Sequence, residues 1–226
     1  MMNDNKAIIF DLDGTLLDTL DDLTDAVNYM LEKYGYPLRD RSDIRRFLGN
    51  GARHLIECSL DGRLTGEGFE AFFEEYKAYY EEHSGIKTKP YDNIVGMIER
   101  LRERGFKIAV VSNKPDGAAK YLCGLYFPDL VDFALGDRED IRRKPAADPV
   151  LLAMRELGCD EAVYVGDSEV DIETARNAGI PSVSVTWGFR DRDQLVASGA
   201  DCFADDANEL EAILIGKLMK TGERTE

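Results

Sequence analysis

Short apolar runs alternate with amphipathic stretches along most of the chain. The runs predict strands at residues 7–10, 107–111, 133–135, 162–165 and 182–185, with a weaker pattern at 202–203. The stretches with helical spacing cover residues 94–104, 115–122, 147–157, 169–178, 192–198 and 208–218. Because the stronger strands are apolar throughout, we expect helices to cover both faces of their sheet. The alternation predicts an α/β fold built on a doubly wound, Rossmann-like parallel sheet with right-handed crossovers.

The alternation breaks between about residue 16 and about residue 85, where there is no convincing strand. Helical patterns occupy residues 19–33, 42–48, 52–59 and 68–82 of this interval. We interpret it as an all-helical cap, residues 16–87, inserted into an α/β catalytic core of residues 1–15 and 88–226. The aromatic side chains of residues 70–82 recur at helical spacing, so we expect them to pack in a small core of the cap.

The composition suits a globular protein and excludes one class of partner. Of the 226 residues, 44% are hydrophobic and 32% are charged, and the formal net charge is −16. Nucleic acid requires a basic surface, so we exclude it as a partner. A small phosphorylated metabolite is compatible with this charge, since a metal ion or a few local cations can reverse the field within one cleft.

The first apolar run has only the length of a strand, and it resembles neither a signal peptide nor a membrane span. The four cysteines are scattered and form no CxxC pair, which is typical of thiols in a reducing compartment. We therefore expect a cytoplasmic protein that does not bind membranes and is either a monomer or a homodimer.

Polar side chains collect where the predicted strands end or the neighbouring loops begin. In chain order they are Asp11, Asp13, Ser112, Asn113, Lys114, Lys144, Asp167 and Asp171. Ligands of doubly wound sheets bind beyond the carboxyl ends of the strands, so we expect these side chains to converge. Since carboxylates repel one another, a hard divalent cation such as Mg²⁺ is the simplest partner for the four aspartates.

Groups of these types suit phosphoryl transfer. A carboxylate beside a metal ion can attack phosphorus and form an acyl phosphate. A hydroxyl, backbone amides and a lysine can neutralise charge on the transferring group. A second carboxylate, two residues after the first, can protonate the leaving oxygen and later activate water.

Four segments resemble the motifs of the haloacid dehalogenase superfamily in its phosphatase form. They are FDLDGTLLDT (10–19), VVSNK (110–114), RRKPAADP (142–149) and VYVGDSEVDIETARNAGI (163–180). The segments occur in the order of the family's motifs and span the predicted core. The resemblance implies the fold described above, with a mobile cap after the first motif. It also implies phosphoryl transfer, because dehalogenating relatives lack the second aspartate of the first motif.

The resemblance further implies a role for each matching residue. Asp11 is expected to be the nucleophile and Asp13 the general acid/base. Ser112 and Lys144 are expected to hold the phosphoryl oxygens, with help from the backbone amide of Asn113.

By the same resemblance the cofactor is Mg²⁺, held by the Asp11 carboxylate, the Asp13 backbone carbonyl and Asp167. Asp171 is expected to support the ion through a bound water. An EF-hand is excluded, because Leu16 would occupy the sixth position, which requires glycine. The residues alone leave open a second role for Asp171, which is to cap the helix that follows.

The segment FLGNGARHLIECSL, residues 47–60, resembles the cap of phosphoglycolate phosphatases. This similarity suggests that Asn50, Arg53 and the nearby Arg45 bind substrate, since an arginine can pair with a small carboxylate. Alternatively, both arginines are ordinary surface residues of helices. For Lys114 the sequence leaves two orientations open, toward the site or toward solvent.

We expect a Mg²⁺-dependent phosphatase that hydrolyses a small phosphomonoester, and the best substrate candidate is 2-phosphoglycolate. Pyrophosphate, a nucleoside monophosphate, a sugar phosphate and pyridoxal phosphate are alternative substrates for the same chemistry. A phosphomutase related to β-phosphoglucomutase is a further alternative. The last is a non-catalytic binding protein on the same scaffold.

Overall fold

A six-stranded parallel sheet lies at the centre of the structure, a computed structural model that describes residues 5–219. In chain order the strands are β1 (Lys6–Phe10), β2 (Leu17–Asp18), β3 (Lys89–Pro90), β4 (Lys107–Pro115), β5 (Phe133–Asp137), β6 (Glu161–Gly166), β7 (Ser182–Val185) and β8 (Phe203–Ala204). The helices are α1 (Leu20–Lys33), α2 (Arg41–Phe47), α3 (Gly51–Leu60), α4 (Gly66–His83), α5 (Ile94–Glu103), α6 (Asp116–Tyr126), α7 (Asp148–Leu157), α8 (Glu169–Ala178), α9 (Arg192–Ala197) and α10 (Ala207–Met219). The predicted α/β fold class is confirmed.

The strand order of the large sheet is β5-β4-β1-β6-β7-β8, and each neighbouring pair is parallel. β1 lies between β4 and β6, so that Ile8 is opposite both Ile108 and Val163. The carboxyl ends of these three parallel strands therefore meet at one edge of the sheet, where ligands of such folds bind.

The two faces of the sheet are buried under separate layers of helices. Ile8 and Phe10 of β1 pack with the layer of α5, α6 and α10, whereas Ala7 and Ile9 pack with α7 and α8. All four side chains are 0% exposed. A strand covered on both faces alternates in this way, because successive side chains point to opposite faces. β1 is thus held from both sides, and the residue that follows it has a fixed position.

Helices α1 to α4, which we call the helical insertion, enclose a second hydrophobic core. Five buried aromatic residues of α4 contribute to it: Phe69, Phe72, Phe73, Tyr76 and Tyr80. Their packing confirms the interpretation of the aromatic spacing. Ala118 and Phe189 join the same core from the α/β region, so the helical insertion packs directly against that region.

The structure corrects two details of the strand prediction. The interval from 16 to 85 contains the short strand β2, which pairs antiparallel with β3 across the ends of the helical insertion. The two residues of β2 are too few to show the alternation of apolar and polar positions that marks a strand, and its partner β3 is distant in sequence. β4 continues to Pro115, so Ser112, Asn113 and Lys114 lie within the strand and do not follow it. Their polar side chains concealed this extension, although all three residues are buried.

The boundaries of the predicted core and cap stay a prediction. Residues 1–4 and 220–226 of the predicted core lie outside the described residues. Among residues 5–219, no helix combines the length and the apolar character that crossing a membrane requires.

Candidate active site

Three buried aspartates meet at the carboxyl edge of the sheet. Asp11 follows β1, Asp167 follows β6, and Asp171 lies in the first turn of α8. Their exposed fractions are 7%, 1% and 2%. One carboxylate oxygen of each lies within 4.8 Å of one from each of the others. The structure therefore brings together three of the four residues predicted to bind a metal.

Two glycines allow the backbone to close around Asp167. Gly14 has a φ of +83°, and a Cβ at this position would lie 2.4 Å from Asp167 Oδ2. A Cβ on Gly188 would lie 2.3 Å from the Cβ of Asp167. The backbone N–H of Phe189 donates to Oδ2 at 2.7 Å, and the Thr15 hydroxyl donates to Oδ1 at 3.1 Å. These contacts fix the Asp167 carboxylate beside the other two.

Lys144 is a buried cation that contacts two of the three aspartates. Its side chain is 2% exposed, and Nζ lies 2.9 Å from Asp11 Oδ1 and 2.7 Å from Asp171 Oδ1. Nζ also donates to the Tyr164 hydroxyl at 3.0 Å. Burial alone would lower the pKa of Lys144, but the attraction of Asp11 and Asp171 outweighs burial and the pKa is raised. Lys144 is therefore held as a cation beside Asp11.

Asp171 both orients Lys144 and caps α8. Its Oδ2 accepts hydrogen bonds from the backbone N–H and the hydroxyl of Ser168, at 3.1 and 2.6 Å. Its Oδ1 accepts from Lys144 Nζ at 2.7 Å. Ser168 and Asp171 form a capping box, which is the helix-capping role that the sequence left open. Support of a metal ion by Asp171 stays a prediction.

The electrostatics of the three aspartates fit a divalent cation. Burial raises the pKa of Asp11 to about 7; Lys144 opposes this rise, and the negative charges of Asp171 and Asp13 add to it. Burial, followed by the charges of Asp171 and Asp11, also holds the pKa of Asp167 well above its usual value. The protein's own cations thus leave buried negative charge uncompensated. Carboxylate oxygens are the ligands that Mg²⁺ prefers, so this donor set fits the predicted ion.

A second buried lysine, Lys114, faces Asp13. Its Nζ donates to Asp13 Oδ1 at 2.8 Å and to the Tyr80 hydroxyl at 2.5 Å, and its side chain is 2% exposed. Of the two orientations that the sequence left open, the structure has the one toward the site. Because Tyr80 belongs to α4, this contact joins the helical insertion to the candidate general acid/base.

Ser112 and Asn113 complete the sheet side of the site. Both are buried and line the pocket. Ser112 Oγ accepts a hydrogen bond from the backbone N–H of Lys114 at 3.3 Å. Asn113 Nδ2 donates to the carbonyls of Gly49 and Lys144, at 3.2 and 3.1 Å. Its Oδ1 is buried and has no hydrogen-bond partner among residues 5–219.

The pocket above these groups has two unlike walls. It measures about 600 Å³, counted out to the solvent at its mouth. The sheet wall carries charged and polar groups, among them Asp11, Asp13, Ser112, Lys114 and Asp167. The helical wall carries Leu23, Leu48, Ala52, Leu55, Tyr76 and Tyr80. Such a pocket can hold a phosphoryl group at its charged side and a small leaving group at the other.

A family model described as haloacid dehalogenase-like hydrolase matches residues 8–185. The chain belongs to the haloacid dehalogenase-like hydrolases. A phosphoglycolate phosphatase from Xanthomonas campestris pv. campestris is 35% identical to this hydrolase over 192 residues, which are 82% of this chain and 85% of the relative. An N-acetylmuramic acid 6-phosphate phosphatase from Pseudomonas aeruginosa is 30% identical over 220 residues, 92% of this chain and 94% of the relative.

The fold of this hydrolase is also similar to that of a solved structure. It is a crystal structure of a protein from Lactobacillus delbrueckii subsp. bulgaricus, provisionally described as a phosphoglycolate phosphatase. Its TM-score with this hydrolase is 0.87 at 38% identity, covering 94% of this chain and 99% of that chain. The predictions of the superfamily, of a phosphoglycolate phosphatase-like branch and of a phosphoric monoester hydrolase are confirmed by these matches.

The hydrolase does not bring the three predicted cap residues into the pocket lining. Arg53 forms a bidentate ion pair with Glu70, in which Nη1 and Nη2 donate to the two carboxylate oxygens at 2.9 and 2.8 Å. Arg45 donates to the Gly188 carbonyl at 3.1 Å and to Asp191 Oδ1 at 3.0 Å, and it is not among the described residues that line the pocket. Asn50 directly precedes α3 and is not among the described residues that line the pocket. This geometry gives no support to substrate binding by these residues, which stays a prediction.

Tyr76, Tyr80 and Arg190 are polar pocket residues of the hydrolase that the sequence analysis does not assign to the site. Helical spacing shows that Tyr76 and Tyr80 face inward but not that they meet a pocket. Arg190 donates to both carboxylate oxygens of Glu169 and, at 2.7 Å, to the Leu48 carbonyl. Arg190 comes shortly after β7, and ligands of such sheets bind beyond the strand ends. This rule could have identified Arg190 as a candidate site residue.

Proposed function

We propose that this hydrolase is a Mg²⁺-dependent phosphatase that hydrolyses a small phosphomonoester through a phospho-aspartate at Asp11. The observation that carries the proposal is the setting of Asp11. Its carboxylate lines the pocket, lies 2.9 Å from Lys144 Nζ and is close to Asp167. A nucleophilic carboxylate needs an open approach to phosphorus and nearby positive charge, and this setting supports both.

In the first step a carboxylate oxygen of Asp11 attacks phosphorus, and the bond between phosphorus and the leaving oxygen breaks. The carboxyl group of Asp13 donates its proton to that oxygen, which departs as an alcohol. Ser112 and Lys144, with the backbone amide of Asn113, stabilise the negative charge on the transferring phosphoryl oxygens. The product of this step is an acyl phosphate on Asp11.

In the second step Asp13, now a carboxylate, takes a proton from a water molecule whose oxygen attacks phosphorus. The bond between phosphorus and Asp11 breaks, which releases inorganic phosphate and restores the Asp11 carboxylate. Lys114 contacts the group that acts in both steps, since its Nζ donates a hydrogen bond to Asp13 Oδ1 at 2.8 Å. Closure of the helical insertion excludes bulk water during the transfer.

The residues that would hold Mg²⁺ are Asp11, the backbone carbonyl of Asp13 and Asp167, with Asp171 in support. When bound, the ion supplies positive charge that allows an anionic nucleophile to approach an anionic phosphoryl group. The buried and undercompensated carboxylates support this assignment.

The best substrate candidate is 2-phosphoglycolate. A relative that is 35% identical to this chain over 192 residues is named for that substrate, and the helical wall leaves room for a small leaving group. A sugar phosphate is the second candidate, favoured by the N-acetylmuramic acid 6-phosphate phosphatase relative. Pyrophosphate, a nucleoside monophosphate and pyridoxal phosphate stay as further alternatives.

The proposal is tested by phosphate release from a panel of these compounds in the presence of Mg²⁺. We expect 2-phosphoglycolate to have the highest kcat/KM, and Asp11→Asn to lower it at least about a thousandfold because the amide is a poor nucleophile. Asp193→Asn, an exposed residue of α9, is the matched control and should retain activity. Activity that survives Asp11→Asn would exclude the proposed nucleophile.

The same assay separates the other classes of function. A phosphomutase would convert a sugar phosphate into its isomer faster than it releases phosphate. A non-catalytic binding protein would release no phosphate that depends on Asp11. Cytoplasmic location and the monomeric or homodimeric state stay predictions.

A further inference from the structure

Tyr76 presents a buried polar atom that lacks a partner. The residue is 1% exposed and lines the pocket from α4. Its hydroxyl has no hydrogen-bond partner among residues 5–219. Leaving a buried hydroxyl unpaired costs free energy, and such groups in proteins usually have a partner. At a pocket wall, a ligand can supply that partner.

Tyr80 and Lys114 add two further donors beside Tyr76. The Tyr76 and Tyr80 rings are stacked with centroids 5.9 Å apart, and Lys114 Nζ donates to the Tyr80 hydroxyl at 2.5 Å. An ammonium group has three N–H donors, and Lys114 uses one on Tyr80 and one on Asp13. The Tyr80 hydroxyl accepts from Lys114, and no acceptor for its own proton occurs among the described contacts.

These three side chains therefore offer donors and little accepting capacity. Burial raises the pKa of both tyrosines well above the usual value, so the phenols stay protonated. A group that only accepts hydrogen bonds is the best complement, and an ionised carboxylate is such a group. A hydroxyl group on the ligand would leave some of these donors without an acceptor. An ammonium group would repel Lys114.

The position of the three donors identifies the part of the substrate that they meet. Lys114 contacts Asp13, the residue proposed to protonate the leaving oxygen, whereas Lys144 contacts Asp11 on the phosphoryl side. The surrounding helical wall contains Leu23 and Leu55, which cannot satisfy a polar leaving group.

We propose that Tyr76, Tyr80 and Lys114 form a carboxylate subsite for the leaving group, which selects small phosphomonoesters that carry a carboxylate near the ester oxygen. This inference rests on the proposed phosphatase function and deepens it. Asn113, which lines the same pocket, has an Oδ1 with no hydrogen-bond partner among residues 5–219, and this oxygen could accept from a hydroxyl of the leaving group. A substrate of similar size that carries a hydroxyl in place of the carboxylate therefore tests whether the site prefers the carboxylate.

Tyr76→Phe is the sharpest test, because the hydroxyl that it removes has no partner in the described protein. The readout is kcat/KM for 2-phosphoglycolate divided by kcat/KM for 2-hydroxyethyl phosphate. We expect this ratio to fall about tenfold or more, since a hydrogen bond to a charged group is lost. Thermal stability should be equal or higher, because a buried unpaired group is removed. Tyr79→Phe, on the same helix but outside the pocket lining, should leave the ratio unchanged.

Lys114→Gln and Tyr80→Phe extend the test to the other two donors. We expect the ratio to fall about a hundredfold for Lys114→Gln, because charge is lost with the donor, and less for Tyr80→Phe. Lys120→Gln is the control, as its side chain is 50% exposed and pairs with Asp116. An equal fall for both substrates would show that Lys114 acts only on Asp13. A ratio that stays constant in all three variants would overturn the subsite.

Failure of the proposed function has a different signature. If the wild-type protein releases no phosphate in an Asp11-dependent way, the phosphatase proposal fails and the subsite is judged by binding alone. Calorimetric titration with glycolate should then show binding to the wild-type protein that weakens about tenfold in Tyr76→Phe. Equal affinity of both proteins for glycolate, or no binding to either, would reject the carboxylate subsite.

Discussion

The two walls of the pocket differ in how many of their buried polar groups find hydrogen-bond or charge partners within the protein itself. On the sheet wall the carboxylates of Asp11 and Asp13 each pair with a buried lysine, although Asn113 Oδ1 has no partner among residues 5–219. On the helical wall Leu55 is apolar, and the buried Tyr76 hydroxyl has no partner among residues 5–219. The charged groups of the sheet wall suit the proposed cation, whereas the helical wall suits a leaving group.

This difference separates two kinds of consequence. Substitutions on the sheet wall break contacts that already exist, so they should affect both folding free energy and reaction rate. Removal of an unpartnered polar group on the helical wall, such as the Tyr76 hydroxyl, changes a contact that forms with the substrate, so it should alter substrate preference at little cost in stability. The variants below test this division, in order of decreasing expected effect.

Lys144→Met should have the largest effect. It leaves the buried carboxylates of Asp11 and Asp171 without their cation, which typically costs about 3–5 kcal/mol of unfolding free energy. We also expect phosphate release to fall at least about a hundredfold, because positive charge at the phosphoryl site is lost. Urea unfolding without Mg²⁺ and a phosphate assay measure both effects. Lys120→Met is the exposed control, and equal stability of the two variants would contradict the role of Lys144.

The same division explains how much the sequence could predict. Asp11 and Asp167 directly follow apolar strands, and the topology of a doubly wound sheet brings such positions to one edge. The positions of the sheet-wall residues therefore follow from strand order and the polarity at strand ends. Their precise contacts do not, since the capping of α8 by Asp171 and its pair with Lys144 depend on side-chain geometry.

The helical wall could not be predicted in this way. Helical spacing shows which face of α4 is buried, but Tyr76 at the pocket and Phe72 in the hydrophobic core obey the same spacing. The resemblance of residues 47–60 to a phosphatase cap suggests that Arg53 binds substrate and leaves open that it is a surface residue; in the structure it pairs with Glu70 outside the pocket lining. These positions depend on how the helices pack against one another, and the residue pattern of a single helix does not reveal that packing.

Magnesium binding should stabilise the protein through the sheet wall. At about a hundred times its dissociation constant, Mg²⁺ should add about 2.7 kcal/mol to the unfolding free energy. Asp167→Asn should abolish this gain, because it removes one of the three carboxylates of the cluster. Thermal denaturation with and without Mg²⁺ measures the difference. The exposed Asp193→Asn should keep the full gain; the same gain in Asp167→Asn would remove Asp167 from the metal site.

Arg190 connects the two walls, so its substitution should have an intermediate effect. The residue is 8% exposed, and its guanidinium donates to Glu169 and to the Leu48 carbonyl in the loop between α2 and α3. Arg190→Gln should lower the unfolding free energy by about 1–3 kcal/mol, because these acceptors lose a charged donor. Arg192→Gln is the surface control and should cost less than about 1 kcal/mol. Equal losses in the two variants would mean that Arg190 does not connect the walls.

Arg53→Gln should have the smallest effect, and it tests where the helical wall ends. Arg53 pairs with Glu70 and lies 4.7 Å from the centroid of the Phe73 ring, with 39% of its side chain exposed. Exposed pairs contribute less than about 1 kcal/mol, and we expect kcat/KM for 2-phosphoglycolate to stay within about twofold of the wild type. Glu70→Gln, which breaks the same pair from the other side, is the matched variant. A tenfold rise in KM for Arg53→Gln but not for Glu70→Gln would mean that Arg53 reaches the substrate, and the helical wall would then include Arg53 beside Ala52 and Leu55 of α3.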